Sequence, residues 1–125
     1  MIIRSGGCLC GAVRYTVNDA PLRVGVCHCA DCRRESGSAF VTFAVWPRHA
    51  FSHTGDVKQF QGRGFCPACG SRLFNIEEET VEVRVGSLDM APTDLEPTYE
   101  LWTKRREGWL EPLSVKEQFV EDRSR

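Results

Sequence analysis

An excess of charge of either sign is missing from this sequence. Lys and Arg number 16 against 17 Asp and Glu, a formal net charge of -1, so no basic field exists to gather phosphates and nucleic acid is not an expected partner. Long hydrophobic runs are missing too. No uninterrupted apolar stretch approaches the roughly 20 residues a membrane-spanning helix requires. The segment Met1-Ile2-Ile3-Arg4-Ser5-Gly6-Gly7 has neither the charged n-region nor the longer apolar h-region of a secretory signal. These absences point to a cytoplasmic protein without a membrane role. The sequence also lacks repeats, low-complexity tracts and linkers, and its 125 residues leave no room for a second core, so a single domain over residues 1–125 is expected.

What is present is an ordinary globular composition, 42% apolar and 26% charged, arranged in short segments of β type. After Gly11, Val13, Tyr15 and Val17 alternate with Ala12, Arg14 and Thr16, the pattern of a half-buried strand. Residues 22–26 read as a second strand that delivers the chain to Cys27. Residues 30–35 have helix formers enough for about one turn before Ser36-Gly37 stops them. The aromatic and β-branched run 38–46 reads as a buried strand ending at Pro47, with Phe40, Phe43 and Trp46 as core residues. Further strands are expected at 57–61, 71–76, 80–85 and 99–102. In the third of these Val81, Val83 and Val85 alternate with Glu82 and Arg84, as in a sheet with one wet side. The fold class is mainly β with little helix.

Seven cysteines carry the chemistry. In a reducing compartment, and odd in number, they argue against a disulfide framework. Their spacing sorts them into three groups. Cys8-x-Cys10 sends two side chains to the same face of an extended backbone. Cys66-Pro67-Ala68-Cys69-Gly70 is a tight knuckle in which Gly70 permits the backbone to turn its amides toward the sulfurs. Together they make the four ligands of a closed tetrahedral zinc site. The run Cys27-His28-Cys29-Ala30-Asp31-Cys32 supplies three more thiolates, the protein-ligand count of a zinc with an open fourth position. His28, His49, His53 or Asp31 could close that position. His28 alternates with Cys27 and Cys29, so in extended backbone it points away and reads as a hydrogen-bonded structural imidazole. His49 and His53 lie in a polar turn region and are expected to be exposed.

The succession Cys8-x-Cys10-Gly11-Ala12-Val13, Cys27-His28-Cys29-x-x-Cys32-Arg33, Phe65-Cys66-x-x-Cys69-Gly70 and Gly86-Ser87-Leu88-Asp89 resembles the glutathione-dependent formaldehyde-activating (GFA) family, which includes centromere protein V-like domains. The resemblance runs over a core of about residues 6–119. It implies a β-tent fold of packed antiparallel sheets, a structural zinc at Cys8, Cys10, Cys66 and Cys69, and a second zinc at Cys27, Cys29 and Cys32. The activity it implies joins glutathione to formaldehyde, giving S-hydroxymethylglutathione, a carbon-sulfur lyase reaction run in reverse. Many family members have a histidine where Tyr99 stands, so chemistry attributed to that histidine does not carry over.

A zinc with three thiolates is a poor generator of hydroxide and a good receptor for a soft sulfur ligand. The expected partners are therefore a small thiol such as glutathione and an aldehyde, with the catalytic centre at Cys27, Cys29 and Cys32. Arg33, directly after Cys32, is the candidate to temper the sulfur charge or hold a carboxylate. Asp89 reads as structural, through an Asx-type bond to backbone. Lys104-Arg105-Arg106 beside Glu107 reads as a wet loop. Two zinc ions per chain are expected, the second lost or partly occupied, since three ligands hold metal less firmly than four. The alternative is a noncatalytic zinc-stabilised interaction module or glutathione-adduct carrier.

Overall fold

The computed structural model describes residues 2–114 and 117–123. Eleven strands and one helix follow one another as β1 (Ile3–Gly7), β2 (Arg14–Asn18), β3 (Arg23–Cys27), α1 (Ala30–Ser36), β4 (Val41–Pro47), β5 (Phe51–Thr54), β6 (Lys58–Phe60), β7 (Arg63–Phe65), β8 (Arg72–Ile76), β9 (Thr80–Arg84), β10 (Tyr99–Leu101) and β11 (Glu117–Gln118). They form a three-stranded sheet, β1-β2-β5, and an eight-stranded sheet, β11-β10-β3-β4-β9-β8-β7-β6. The architecture is mainly β, as the sequence pattern requires. Most pairs are antiparallel, but β10 lies parallel to β3 and β11 parallel to β10. A parallel partner needs a crossover rather than a tight turn, and residues 85–98 supply one.

The core lies between the two sheets. Val13, Tyr15, Val17 and Phe51 from the small sheet meet Val24, Ala44, Trp46, Val81 and Val83 from the large one. Tyr15, Phe51 and Phe74 form an aromatic centre with ring separations of 4.8 to 5.9 Å. Period-2 alternation then dictates what the opposite face of the large sheet carries: Cys27, Val41, Phe43, Val45 and Tyr99, which cluster separately. Phe43 therefore belongs to this second face and Trp46 to the main core. On the expected wet side of β9 Glu82 is half-buried and only Arg84 is buried. Cys29 and Cys32 at the start of the helix and Phe119 of the C-terminal segment pack against part of that face.

Four strands escaped the sequence pattern. β1 contains Ser5-Gly6-Gly7 and has little intrinsic β preference; its pairing with β2 holds it extended. β5 is the polar Phe51-Ser52-His53-Thr54, fixed by pairing with β2. β7 starts inside the glycine pair 62–64 that reads as a turn. β11 is a two-residue edge.

Candidate metal centres

The turn between β1 and β2 carries Cys8 and Cys10. Its geometry is set by Cys8 N–H donating to the Val13 carbonyl at 3.1 Å and Gly11 N–H to the Cys8 carbonyl at 3.2 Å. The turn between β7 and β8 carries Cys66 and Cys69, closed by Gly70 N–H to the Cys66 carbonyl at 2.8 Å and Cys66 N–H to the Ser71 carbonyl at 3.0 Å. Gly70 sits at φ 79°, left-handed backbone that a side chain would strain. The two turns face each other, and all four sulfurs lie within 4.8 Å of one another.

The separations decide what this group is. Cys8 Sγ and Cys10 Sγ are 3.6 Å apart, and Cys10 Sγ and Cys66 Sγ 3.8 Å. A disulfide would need about 2.05 Å. A tetrahedron with metal–sulfur arms of about 2.3 Å has sulfur–sulfur edges of about 3.8 Å. The four sulfurs therefore fit the edges of a zinc tetrahedron. Amides and hydroxyls already serve the anionic form: Val13 N–H donates to Cys8 Sγ at 3.2 Å, and Ser71 Oγ lies 3.2 Å from Cys69 Sγ. The Val13 amide lowers the Cys8 thiol. Cys69 is drawn down to about 5 by the Ser71 hydroxyl, the Ser71 amide and the Cys10 amide. Cys10 goes the other way. The Ala12 amide lowers it, but the neighbouring Cys8 sulfur and the rest of the cluster push it up to about 11. Crowded sulfurs resist a further negative charge, and a cation at their centre relieves that resistance.

The second group sits where β3 passes into α1. Cys27 closes the strand, Cys29 is the N-cap of the helix, and Cys32 lies in its first turn. Cys32 N–H donates to Cys29 Sγ at 3.3 Å, so a sulfur takes the capping position that Ser, Thr or Asp usually fills. The three sulfurs lie within 4.8 Å of one another. Among the described residues no histidine or carboxylate joins them at that distance. Burial raises the Cys29 thiol. Cys32 is raised further, first by the Cys27 sulfur and then by burial.

The residues flanking this trio have defined places. His28 is buried, its Nε2 2.7 Å from Glu100 Oε2. Glu100 Oε1 accepts from Leu113 N–H at 2.8 Å and from Gln118 Nε2 at 2.7 Å. Burial pushes the Glu100 carboxyl up, but Gln118, His28 and the Leu113 amide outweigh it and hold it below its ordinary range. Asp31 turns to Arg63 at 3.3 Å. His49 and His53 are exposed. Arg33 donates to the Arg105 carbonyl and to Glu107, each at 3.2 Å, binding α1 to that loop. Arg84 of β9 works weakly in the lowering direction on the Cys32 thiol, against the stronger effects of the Cys27 sulfur and burial. Arg84 pairs with Glu35 and, at 2.8 Å, with Glu82. Its Nε is buried with no partner among the described residues. Asp89 pairs with Arg14 and not with backbone through its carboxylate, while its N–H donates to the Ser5 carbonyl at 2.9 Å.

A cavity of about 790 Å³ opens beside this trio on the second face of the large sheet. Cys27 and Cys32 stand at one end, and Phe43, Val45, Tyr99 and Leu101 form its floor. Arg23 and Glu82 stand at the other end, with Asp122 and Arg123 on the rim. Cys27 and Arg23 share a face because they lie four positions apart on one strand, an even offset that period-2 reading of β3 contains. Arg84 had no such signal, since only the β4–β9 pairing brings it near Cys32.

A mainly β fold of packed sheets, carrying one group of four cysteines and one of three that could each hold a metal ion, defines the class. The chain belongs to the glutathione-dependent formaldehyde-activating enzyme family, whose profile matches residues 3–105. It is 30% identical over 74 residues to an uncharacterized lyase of Schizosaccharomyces pombe, covering 55% of this chain and 54% of that protein. The chain thus spans about half the length of the curated relative it matches. Among solved structures it resembles a crystal structure of a Rhodobacter sphaeroides protein at 24% identity and a TM-score of 0.54, covering 70% of this chain and 91% of that one. That likeness speaks for the fold. Among the described residues no helix is long and apolar enough to cross a membrane.

Proposed function

We propose that this chain binds a small thiol such as glutathione at Cys27, Cys29 and Cys32 and joins it to formaldehyde or a related aldehyde, as a zinc-dependent carbon-sulfur lyase working toward addition. The observation that carries this reading is the three-sulfur group beside an open cavity with no fourth side chain among the described residues. Family membership and the lyase name of the fungal relative support it. Cys8, Cys10, Cys66 and Cys69 would hold a structural zinc, and the trio a second. Zinc there would fix an incoming sulfur and lower its pKa from about 8.5, supplying the thiolate at neutral pH.

The chain's own residues do the rest. The N–H of Cys32 and the guanidinium of Arg84 offset negative charge on the sulfurs. Leu101, paired with Cys27, and Phe43 on the floor beside it limit water at the reacting sulfur. The thiol releases its proton, and the sulfur lone pair forms the carbon–sulfur bond. The carbonyl π pair moves to oxygen, and a proton from solvent completes the hydroxymethyl group, so no oxidant or reductant is needed. The test is the rate of hydroxymethyl adduct formation, followed by NMR with the zinc-loaded chain, glutathione and formaldehyde. Acceleration that Cys29→Ser abolishes supports the reading. A rate equal to the uncatalysed one refutes the enzyme and leaves an adduct carrier.

A further inference from the structure

The cavity beside the trio has a property that the sulfurs alone do not require: its far end and rim are charged. Arg23 and Arg123 both reach it, and among the described residues neither guanidinium has an ion-pair partner. Every other arginine of β7, β8 and β9 is tied to Glu35. Two unpaired guanidinia lining an apolar-floored cavity are the donors that planar, bidentate recognition of a carboxylate uses.

Their positions fix how far that carboxylate stands from the sulfur. Arg23 and Cys27 lie four steps apart on β3, about 13 Å from Cα to Cα. Between them is Gly25, where an added Cβ would fall 2.7 Å from Tyr99 Cζ and 2.9 Å from Phe43 Cζ. The absence of a side chain there lets the two rings lie across the strand, edge to face at 5.9 Å, as an apolar bridge between the sulfur end and the arginine end. Arg123 comes from the C-terminal segment and sits 5.6 Å from the Tyr99 ring. Arg23 thus stands at the end remote from Cys27, and Arg123 reaches the ring of Tyr99, whose strand position pairs with Gly25 between the two ends. A carboxylate on the same carbon skeleton as the thiol, as in free cysteine, stays beside the sulfur and falls short. One carried on a residue beyond the thiol-bearing unit can reach.

Resting on the proposed thiol-binding role of the trio, we infer that Arg23 and Arg123 are specificity-determining residues that select peptide thiols with a distal carboxylate over small thiols lacking one. Glu82, in line with Arg23 across Val45, stands at that end and, beside its 2.8 Å pair with Arg84, suits the ammonium group of such a zwitterion.

Calorimetric titration of the zinc-loaded chain tests this with three probes: glutathione, its glycine-carboxylate ethyl ester, and 2-mercaptoethanol. Wild type, Arg23→Gln, Arg123→Gln and the double variant are compared. The expected result is a loss of glutathione affinity of about tenfold or more in the double variant, the size of a lost charge-assisted hydrogen bond. 2-Mercaptoethanol affinity stays unchanged in all four proteins. A single arginine variant closes the gap between glutathione and its ester if that residue reads the glycine carboxylate; a gap that neither closes assigns the arginines to the other carboxylate. Overturning results are unchanged glutathione affinity in the double variant, or equal weakening of both thiols. If 2-mercaptoethanol itself fails to bind the wild type, the thiol-receptor role falls and this inference with it.

Discussion

Replacing Cys66 by serine and Cys29 by serine should separate the two metal centres by their consequences. Cys66 is fully buried and belongs to the group that ties the β1–β2 turn of the small sheet to the β7–β8 turn of the large one. A structural zinc in a small domain contributes on the order of 10 kcal/mol to folding, comparable with the whole net stability of about 5–15 kcal/mol. Loss of one of its four sulfurs should therefore cost roughly 4 kcal/mol or more. At about 4 °C per kcal/mol for a chain of this size, the melting temperature falls by about 15 °C. Cys29 differs because its structural task is to accept the Cys32 N–H at the helix N-cap. Serine is among the preferred residues there, so Cys29→Ser should stay within about 1 kcal/mol of wild type while thiol binding is lost. Thermal unfolding of the zinc-loaded proteins by circular dichroism, with metal analysis of each, measures both. Equal destabilisation by the two substitutions, or a Cys66→Ser protein as stable as wild type, refutes the division of labour.

Three further outcomes follow from named contacts. Arg84→Leu removes the cation acting on Cys32 and leaves Glu82 without its 2.8 Å partner; metal affinity at the second centre should fall about tenfold by chelator competition, as for other outer-shell partners. Glu100→Gln tests acid stability. The folded carboxyl lies below its ordinary value of 4.5, so it contributes stability above that pH, and the contribution is lost as pH falls through the folded value. Chemical unfolding at a series of pH values should show the wild-type advantage over Glu100→Gln disappearing below pH 4.5; an advantage that persists at the acid end contradicts it. Gly25→Ala drives a Cβ against Tyr99 and Phe43, which should cost about 1–3 kcal/mol by overpacking and weaken thiol binding measured by calorimetry.

Much of this was legible in the residues because each element carried its own signal. Val13, Tyr15 and Val17 announced a strand by alternation, and Ser36-Gly37 announced the end of the helix, where Gly37 takes a left-handed conformation. The grouping of cysteines by spacing anticipated which of them converge, because a C-x-C or C-x-x-C knuckle is a local structure. What escaped depends on pairing between distant segments. β1 and β5 are strands because β2 lies between them, and neither has the composition of a strand. Arg33 is nearest to Cys32 in sequence, yet the helix turns it toward Glu107. Arg84, 52 positions further along the chain from Cys32, arrives through the β4–β9 ladder. Charge placement across a sheet is a tertiary fact that a linear reading does not contain.

The account rests on a division of seven sulfurs into four and three and on the proposal that the smaller group takes up one more. Zinc K-edge absorption of the doubly loaded chain, before and after glutathione, addresses that division most directly. Sulfur coordination averaged over both metals should lie between three and four without thiol and rise to four with it. Full sulfur coordination before thiol is added, or a spectrum that glutathione leaves unchanged, contradicts the account.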